Sequence, residues 1–370
     1  MDHCFNPKLD RRRFIAGAGA AVAFGSSARA QTGDSGAFEQ LIAAAKKEGA
    51  VIIDGPPNDE VREALSSGFK NRYGISVSYI SSGSSRSGAR VRAERAAGKF
   101  LLDVFLSGPE TTLLTFLKSG WLDPISKVLV DPEVTNTANW ADNHLWYVDP
   151  EQYVVRVLRF VTPSLAVNTK VIAASEIPTW KSILDPKWRG KFIAKDPSTP
   201  GAGASLISYF YLTFGPDFVK SLYVDQKPTI SRDPRQAAQS LAVGNVPFWV
   251  GPDQNEVIRF QNLGYPVDWV APTDGPGVLS GGFGFVSLVK NAPNPNASKL
   301  FVNWLLSREG QNAFGKAIAS MSLRTDIDQS WAPDYTRPIP AASYMDTYDY
   351  KFILEQRDPA YEKAQKLLGL

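Results

Sequence analysis

The chain has 370 residues, 44% of them hydrophobic, with a formal net charge of +3. Five of its 40 basic and two of its 37 acidic residues lie in the first 30 positions, so the later chain holds 35 of each and supports neither nucleic-acid nor membrane-surface binding. Because the single cysteine is Cys4 and the only later histidine is His144, cysteine nucleophiles and His-rich metal sites are excluded after residue 30.

The first 30 residues have the three features of a secretory signal. An Arg-Arg-Arg segment at residues 11–13 precedes an apolar Ala/Gly-rich run, and Ala-Arg-Ala at residues 28–30 offers a cleavage site. The apolar run is too short to span a membrane, and the consecutive arginines indicate twin-arginine export. We expect cleavage after Ala30; a mobile tail or a membrane anchor is the alternative.

After the signal, helical and strand patterns alternate. Residues 38–45 and 61–69 place apolar side chains at helical spacing, whereas residues 51–53, 75–80 and 102–106 have patterns typical of strands. Such alternation predicts an α/β fold with a mostly parallel sheet covered by helices on both faces. Because the remaining chain is longer than one hydrophobic core usually serves, we expect two lobes.

The turns that follow these strands are short and polar or rich in glycine and proline. They are residues 54–58, the serine-rich loop 81–86 and residues 107–108. Ligands of parallel α/β sheets bind at the carboxyl ends of the strands, so these turns predict one side of a binding cleft. Arg86 and Arg90 could pair with an acidic ligand there, or form part of a solvated basic helix face.

The stretch 196–204, Asp-Pro-Ser-Thr-Pro-Gly-Ala-Gly-Ala, lies between a strand pattern at 190–195 and a helical pattern at 205–214. Gly201 and Gly203 let the backbone approach a ligand, and the first turn of a helix has unpaired N–H groups at the positive end of its dipole. A strand-to-helix turn of this kind can bind an anion. Plain loop punctuation with a Ser or Thr helix cap is the alternative.

The second half of the chain repeats the alternation around a break at residues 272–277, Pro-Thr-Asp-Gly-Pro-Gly. Strand patterns occur at 153–160, 165–168, 246–250, 267–270 and 281–289, and helical patterns at 234–243, 254–263, 297–316 and 360–368. We interpret two of the irregular segments as crossings between lobes. The predicted first lobe is 31–166 with 272–325, and the second lobe is 167–271 with 326–370.

Several short motifs follow one another across the chain after residue 30. They are Glu-Gly-Ala-Val-Ile at 48–52, Phe-Lys-Asn-Arg-Tyr-Gly-Ile-Ser-Val at 69–77, Ala-Glu at 93–94, Leu-Asp-Val-Phe at 102–105, Val-Asn-Thr-Lys at 167–170, Leu-Asp-Pro-Lys-Trp-Arg-Gly-Lys at 184–191, Asn-Ala-Pro-Asn-Pro-Asn-Ala-Ser-Lys-Leu-Phe at 291–301 and Ser-Arg-Glu-Gly-Gln at 307–311. Their order and spacing resemble the ABC-transporter solute-binding proteins, in the extracellular family that includes ferric-ion-binding and phosphonate-binding periplasmic proteins. The resemblance implies a type II periplasmic-binding fold, with two α/β lobes hinged by crossing strands around a ligand cleft.

The resemblance also bears on the ligand. Ferric-binding members hold iron with a His, a Glu and a Tyr-Tyr pair at strand ends, whereas this sequence has Pro57, Gly108 and Gln254-Asn255 at those places, which implies no metal site. The family's anion turn, Thr-x-Gly-Ala at a helix start, is matched by residues 199–202. We therefore expect an anionic organic solute larger than a single ion.

The expected ligand site combines the anion turn with groups at strand ends of both lobes. The candidate residues are Asn58, Ser84, Ser85, Arg86, Ser107, Thr199, Gly201, Ala202, Gly203, Trp249, Gly251, Asp253 and Ser280. Trp249 either stacks on an apolar ligand body or fills the core. Asp253 either accepts a hydrogen bond from the ligand or caps the helix that follows it.

The sequence thus predicts a monomeric periplasmic binding protein for a small carboxylate or phosphonate, which it delivers to an ABC permease in the inner membrane. No cofactor and no nucleic-acid partner is expected. One alternative is ferric-ion binding through tyrosines at positions 209, 211, 344 or 348. Another alternative is an envelope enzyme, but the sequence contains no GxSxG or HExxH motif to support it. The fold does not distinguish a transporter component from the ligand-sensing partner of a receptor.

Overall fold

The computed structural model describes residues 31–198, 201–340 and 342–370, so the predicted signal sequence lies outside the described residues. The α-helices are α1 (Gln31–Glu48), α2 (Asp59–Tyr73), α3 (Ser84–Ala96), α4 (Pro132–Thr135), α5 (Ala202–Phe214), α6 (Pro216–Lys220), α7 (Pro234–Ala242), α8 (Gln254–Asn262), α9 (Pro295–Leu306), α10 (Arg308–Ala317) and α11 (Asp358–Leu368). The π-helical segments are Glu110–Leu117, Ser221–Asp225 and Phe352–Arg357. Short 3-10 turns are Ile125–Val128, Thr137–Asn139, Ala141–Asn143, Ala174–Glu176, Lys181–Leu184, Pro186–Trp188 and Asp334–Thr336.

The strands form sheets that correspond to two lobes and a connection between them. They are β1 (Ala50–Gly55), β2 (Ser76–Ser81), β3 (Val104–Ser107), β4 (Leu122–Asp123), β5 (Val154–Arg156), β6 (Phe160–Val161), β7 (Leu165–Asn168), β8 (Ile193–Lys195), β9 (Thr229–Ser231), β10 (Phe248–Val250), β11 (Val267–Val270), β12 (Gly277–Ser280), β13 (Phe285–Val289) and β14 (Tyr344–Asp346). The first sheet has the order β2-β1-β3-β13-β4, with β5 also paired to β13. Strand β1 is parallel to β2 and β3, while β13 returns antiparallel.

The second sheet has the order β11-β7-β10-β8-β9. Strands β10, β8 and β9 are parallel, and β7 runs antiparallel to both β10 and β11. Each sheet has its own hydrophobic core, one built around Phe69, Phe301 and Trp304 and the other around Phe192, Phe210 and Phe248. The predicted two-lobe α/β architecture is confirmed.

A small third sheet, β14-β12-β6, lies where the chain passes from one lobe to the other. It divides the strand that the sequence predicts at 153–160, because β5 pairs in the first sheet and β6 pairs with β12. The helix predicted at 297–316 is also divided. Ser307 ends α9 and caps α10 by accepting a hydrogen bond from the Gly310 N–H, so two helices replace one.

The start of α9 is capped by a side chain far away in sequence. The Glu48 carboxylate, at the end of α1, accepts hydrogen bonds from the backbone N–H groups of Asn296 and Ala297, at 2.9 and 2.7 Å. A carboxylate at this position satisfies unpaired helix donors and complements the helix dipole. This contact joins the motif at 48–52 to the motif at 291–301 in the folded chain.

The segment after α10 is fastened to the first lobe by a buried arginine. The guanidinium of Arg324 is fully buried; its Nε and Nη2 donate to the Asp326 carboxylate at 2.8 and 2.7 Å, and Glu133 lies 3.2 Å from Nη2. Further along, α11 packs on α5 of the second lobe. The lobe boundaries at residues 166/167, 271/272 and 325/326 remain a prediction.

We predict that Asp326→Asn lowers the free energy of unfolding by about 3 kcal/mol at pH 7, because it leaves a buried guanidinium with one fewer carboxylate. Hydrogen bonds from Arg324 hold the pKa of Asp326 below its usual value. The stabilisation from these bonds is therefore present above the pKa of the Asp326 carboxyl in the unfolded chain, about 3.9. It is lost as the pH falls through the lower pKa of that carboxyl in the folded protein.

Urea unfolding of both proteins between pH 7 and pH 3 measures this effect. The gap between wild type and variant should narrow below about pH 4. The matched control is Asp328→Asn, whose exposed carboxylate accepts hydrogen bonds from the N–H and hydroxyl groups of Ser330. An Asp326→Asn protein as stable as this control would contradict the account.

Candidate functional site

A cavity of about 390 Å³ lies between the lobes, beside the small third sheet. The turn after β3, the start of α5, the turn after β10 and the crossing segments all contribute to its wall. Its lining residues are Gly108, Pro109, Glu110, Thr162, Pro163, Ser164, Gly201, Ala202, Ser205, Leu206, Gly251, Pro252, Val278, Ser280, Gly282, Phe283, Thr347, Tyr348 and Arg357. The wall is mostly apolar, which suits a small organic molecule.

The start of α5 faces this cavity through Gly201 and Ala202. Gly201 has φ 87° and ψ −122°, a conformation that is essentially restricted to glycine, and it gives the helix no side-chain cap. The first described intrahelical bond runs from the Ser205 N–H to the Gly201 carbonyl, at 2.9 Å. The N–H groups of the first turn have no acceptor within the helix, and they lie at the positive end of the helix dipole, which is next to the cleft.

A charged pair stands beside this helix start. Nη1 of Arg357 lies 2.6 Å from Oε1 of Glu110, and Oε2 of Glu110 lies 3.1 Å from the position that a Cβ atom would take on Gly201. The Arg357 side chain is 5% exposed and also donates to Asp358 Oδ1 from Nε and Nη2. The site therefore holds a buried guanidinium and a helix start, with a carboxylate between them.

A second buried arginine supports the wall of the cavity. Arg156 donates from Nη1 to both oxygens of Asp346, at 2.9 and 2.7 Å, and from Nη2 to the Ser280 carbonyl. Its guanidinium lies 5.4 Å from the ring centroid of Tyr348, whose hydroxyl donates to the Gly282 carbonyl. These bonds tie β5, β12 and β14 together and fix the wall at the crossing segments.

A second cavity of about 560 Å³ lies on the other side of the Glu110–Arg357 pair. Its wall is more polar and comes from α3, α5, α11 and the π-helical segment Glu110–Leu117. It is lined by Gly88, Ala89, Arg92, Glu110, Thr111, Leu114, Thr115, Ala204, Arg357, Asp358, Tyr361, Glu362 and Gln365. Glu110 and Arg357 line both cavities, so their ion pair forms the partition between them.

Several of the candidate residues lie together at the first cavity. Its lining includes Gly201, Ala202, Gly251 and Ser280. Gly203 is buried in the first turn of α5, next to them. Thr199 lies outside the described residues.

Other candidates from the first lobe lie elsewhere. The Asn58 side chain caps α2 by accepting from the Val61 N–H at 2.8 Å. Ser84 and Ser85 begin α3, and Arg86 beside them is exposed. Ser107 is buried as the last residue of β3, where it pairs with Phe285 of β13. Among the described side chains, those of Asn58, Arg86 and Ser107 line neither cavity.

The two candidates with alternative roles adopt the structural ones. Trp249 is 2% exposed and packs in a core cluster with Ile193 and Val257. The Asp253 carboxylate accepts hydrogen bonds from the N–H groups of Asn255 and Glu256, and so caps α8.

Lys195 lies close to the turn that follows β10. Its Cβ and Cε atoms are 3.0 and 3.5 Å from the position that a Cβ atom would take on Gly251. Burial lowers the pKa of its ammonium group, while the nearby charge of Asp253 acts in the opposite direction. A Cβ atom on Gly251 would also overlap Leu206 of α5, so only glycine lets this turn approach the cavity.

Sequence reasoning missed the charged pair. Glu110 follows β3 directly, so the rule that placed Ser107 and Gly108 near a ligand also applied to Glu110. Arg357 lies in the loop-rich tail, and no spacing or motif connects it with the start of α5. Only the packing of α11 on α5 brings it there.

Within the part of the chain that the structure describes, no group of three or more His, Cys, Asp or Glu side chains is arranged to hold an ion. Gly108 lines the first cavity, and Gln254 and Asn255 begin α8 behind Asp253. Over the same described ranges, no helix has the length and apolar character needed to cross a membrane.

Residues 30–312 match the family model of the bacterial extracellular solute-binding proteins. The chain belongs to this family. The match confirms the resemblance seen in the short motifs. Members of the family bind solutes and interact with ABC permeases. An uncharacterised protein of Haemophilus influenzae is 26% identical over 332 residues, which are 86% of this chain and 90% of that protein.

Solved structures of periplasmic binding proteins share the fold. The chain is similar to AfuA of Actinobacillus pleuropneumoniae with bound fructose-6-phosphate, with a TM-score of 0.65, 22% identity and coverage of 87% and 99% of the two chains. It is similar to iron-bound HitA of Pseudomonas aeruginosa, with a TM-score of 0.65, 17% identity and the same coverage. It is also similar to FutA of Trichodesmium with iron and citrate, with a TM-score of 0.64, 18% identity and coverage of 87% and 98%.

We predict that Gly201→Ala lowers the free energy of unfolding by about 2 kcal/mol, because alanine is strained at this backbone conformation. Its Cβ would also press on the Glu110 carboxylate. Gly264→Ala is the matched control, since Gly264 has φ 80° with nothing within 4 Å of an added Cβ. Urea unfolding compares the two variants, and a smaller loss for Gly201→Ala than for Gly264→Ala would contradict this geometry.

Proposed function

We propose that this solute-binding protein captures a small anionic organic solute, a carboxylate or phosphonate, in the cleft between its lobes. The anionic group would sit at the start of α5 next to Arg357, and the organic body would fill the apolar cavity. The closed form would then deliver the solute to an ABC permease. Residues 1–30 would direct export to the periplasm by the twin-arginine route.

The observation that carries this proposal is the convergence of positive groups on the cavity. Arg357 is a buried guanidinium whose Nε and Nη2 are paired with Asp358, which leaves Nη1 to face an anion in the cleft. The first turn of α5 adds backbone donors and the positive end of a helix dipole. A carboxylate of the chain itself, that of Glu110, already fits between them. Charge-assisted hydrogen bonds to a guanidinium are strong and favour planar or tetrahedral oxyanions.

The shape of the cavity supports an organic rather than a monatomic ligand. Its volume of about 390 Å³ falls within the range of small-molecule sites. Pro109, Pro163, Leu206 and Phe283 supply apolar surface, while hydroxyl groups such as that of Thr162 supply polar contacts. Among similar proteins, AfuA is seen with bound fructose-6-phosphate and FutA in complex with iron and citrate, so organic anions occupy this fold elsewhere.

The mechanism is binding without bond chemistry. A ligand that touches both lobes stabilises the closed form through its differential affinity for that form. Here Glu110 and the turn after β3 come from the first lobe, whereas α5 and the turn after β10 come from the second. A solute in the cavity therefore contacts both lobes, and closure around it presents one surface to the permease.

We predict that residues 31–370 gain thermal stability with one class of organic anion in a screen of benzoate, succinate, citrate, methylphosphonate, inorganic phosphate and ferric citrate. A ligand at a hundredfold excess over its Kd stabilises the folded state by about 2.7 kcal/mol. Thermal-shift curves resolve such a change. Stabilisation by ferric citrate but not by citrate would instead favour iron binding.

We predict that Arg357→Gln raises the Kd of the stabilising anion at least about tenfold, because a charge-assisted hydrogen bond contributes about 1.5–3 kcal/mol to binding. Isothermal titration of the folded proteins measures this. The control is Arg235→Gln, which removes a guanidinium that is 82% exposed on the second lobe, outside both cavities. Equal binding by the two variants would contradict a role for Arg357 in anion capture.

A further inference from the structure

We propose that Glu110 is a tethered competitor of the ligand: its carboxylate occupies the anion position of the cleft and is displaced when the solute binds. This inference rests on the proposed function. It makes Glu110 a residue that sets the affinity of the protein for anions without contributing an attractive contact to them.

The Glu110 carboxylate lies between the guanidinium and the helix start. One oxygen, Oε1, accepts a hydrogen bond from Nη1 of Arg357 at 2.6 Å. The other, Oε2, lies 3.1 Å from the position that a Cβ atom would take on Gly201, beside the start of α5. The carboxylate therefore pairs with Nη1 of Arg357 and lies near the positive end of α5, where the proposed function places the anionic group of a solute.

The contact between Glu110 and Arg357 bridges the lobes. Glu110 begins the π-helical segment that follows β3 of the first sheet. Gly201 precedes α5 of the second lobe, and Arg357 joins the crossing segment to α11, with its carbonyl accepting from the Ser208 hydroxyl of α5. A ligand that closes such a protein makes the same kind of contact, so Glu110 stands in for one.

The Glu110–Arg357 ion pair partitions the cleft. Glu110 and Arg357 separate the apolar cavity from the polar one, and the Glu110 side chain is 29% exposed. The side chain therefore has room to rotate toward the polar cavity, where Arg92 is part of the wall. Rotation would free Nη1 of Arg357 toward the apolar cavity, while Nε and Nη2 stay paired with Asp358. It would also move the displaced carboxylate toward another cation.

Two consequences follow for binding. An anion must replace Glu110 at Arg357. The apparent affinity of the anion is therefore its intrinsic affinity multiplied by the fraction of protein in which Glu110 is displaced. Without ligand, the same carboxylate holds the lobes together. Removing its charge should therefore strengthen anion binding and loosen the ligand-free protein at the same time.

The test compares wild type, Glu110→Gln and Glu355→Gln as residues 31–370. Glu355 is an exposed residue of the same π-helical segment as Arg357 and lines neither cavity, so its variant controls for the loss of one negative charge. Succinate, benzoate, citrate and inorganic phosphate are first screened by thermal shift on all three proteins. Isothermal titration then gives Kd for the anion with the largest shift.

We expect Glu110→Gln to bind that anion about tenfold or more tightly than wild type, and Glu355→Gln to bind it as wild type does. Equal or weaker binding by Glu110→Gln, with clear binding by wild type, overturns the competitor role and leaves the proposed function standing. If none of these anions stabilises any of the three proteins, the proposed anion site and this inference are both rejected.

Small-angle X-ray scattering without added anion gives a second readout. Glu110→Gln should have a larger radius of gyration than wild type, and the bound anion should restore the compact value. An unchanged radius of gyration in the ligand-free variant overturns the bridging role of Glu110.

Discussion

The charge balance at the start of α5 is the constraint on which the cleft depends. A buried guanidinium and a helix start without a side-chain cap present positive charge to an apolar cavity. Burying charge without a partner costs several kcal/mol, so carboxylates hold the guanidinium of Arg357. In this structure Asp358 accepts from its Nε and Nη2, and Glu110 of the opposite lobe accepts from its Nη1. Electrostatics and lobe closure are therefore coupled at one place.

The rest of the architecture delivers the groups to this place. Strand β3 of the first sheet ends at the cleft, which places Glu110 there. Gly201 and Gly251 follow strands of the second sheet and line the same cavity. The small sheet β14-β12-β6, held by Arg156 and Asp346, aligns the crossing segments that complete the wall. Because α11 packs on α5, the tail of the chain brings Arg357 to the second lobe.

The sequence was informative where chemistry is local. Alternating patterns predicted the α/β fold, and the chain length predicted two lobes. The turns that follow strands predicted Gly201, Ala202, Gly251 and Ser280, which line the cavity.

Sequence patterns could not distinguish ligand binding from helix capping for residues that precede helices. Asn58 and Asp253 follow strands, as ligand groups do, yet their side chains accept backbone hydrogen bonds at helix N-termini. The partnership of Glu110 and Arg357 spans 247 positions and has no motif, so it required the three-dimensional packing.

The most direct measurement is a crystal structure of residues 31–370 with the most strongly stabilising anion. We expect the anionic group to lie within hydrogen-bond distance of the Arg357 guanidinium and the first N–H groups of α5, with the Glu110 carboxylate turned away. An anion bound elsewhere, with Glu110 still paired to Arg357, would contradict it.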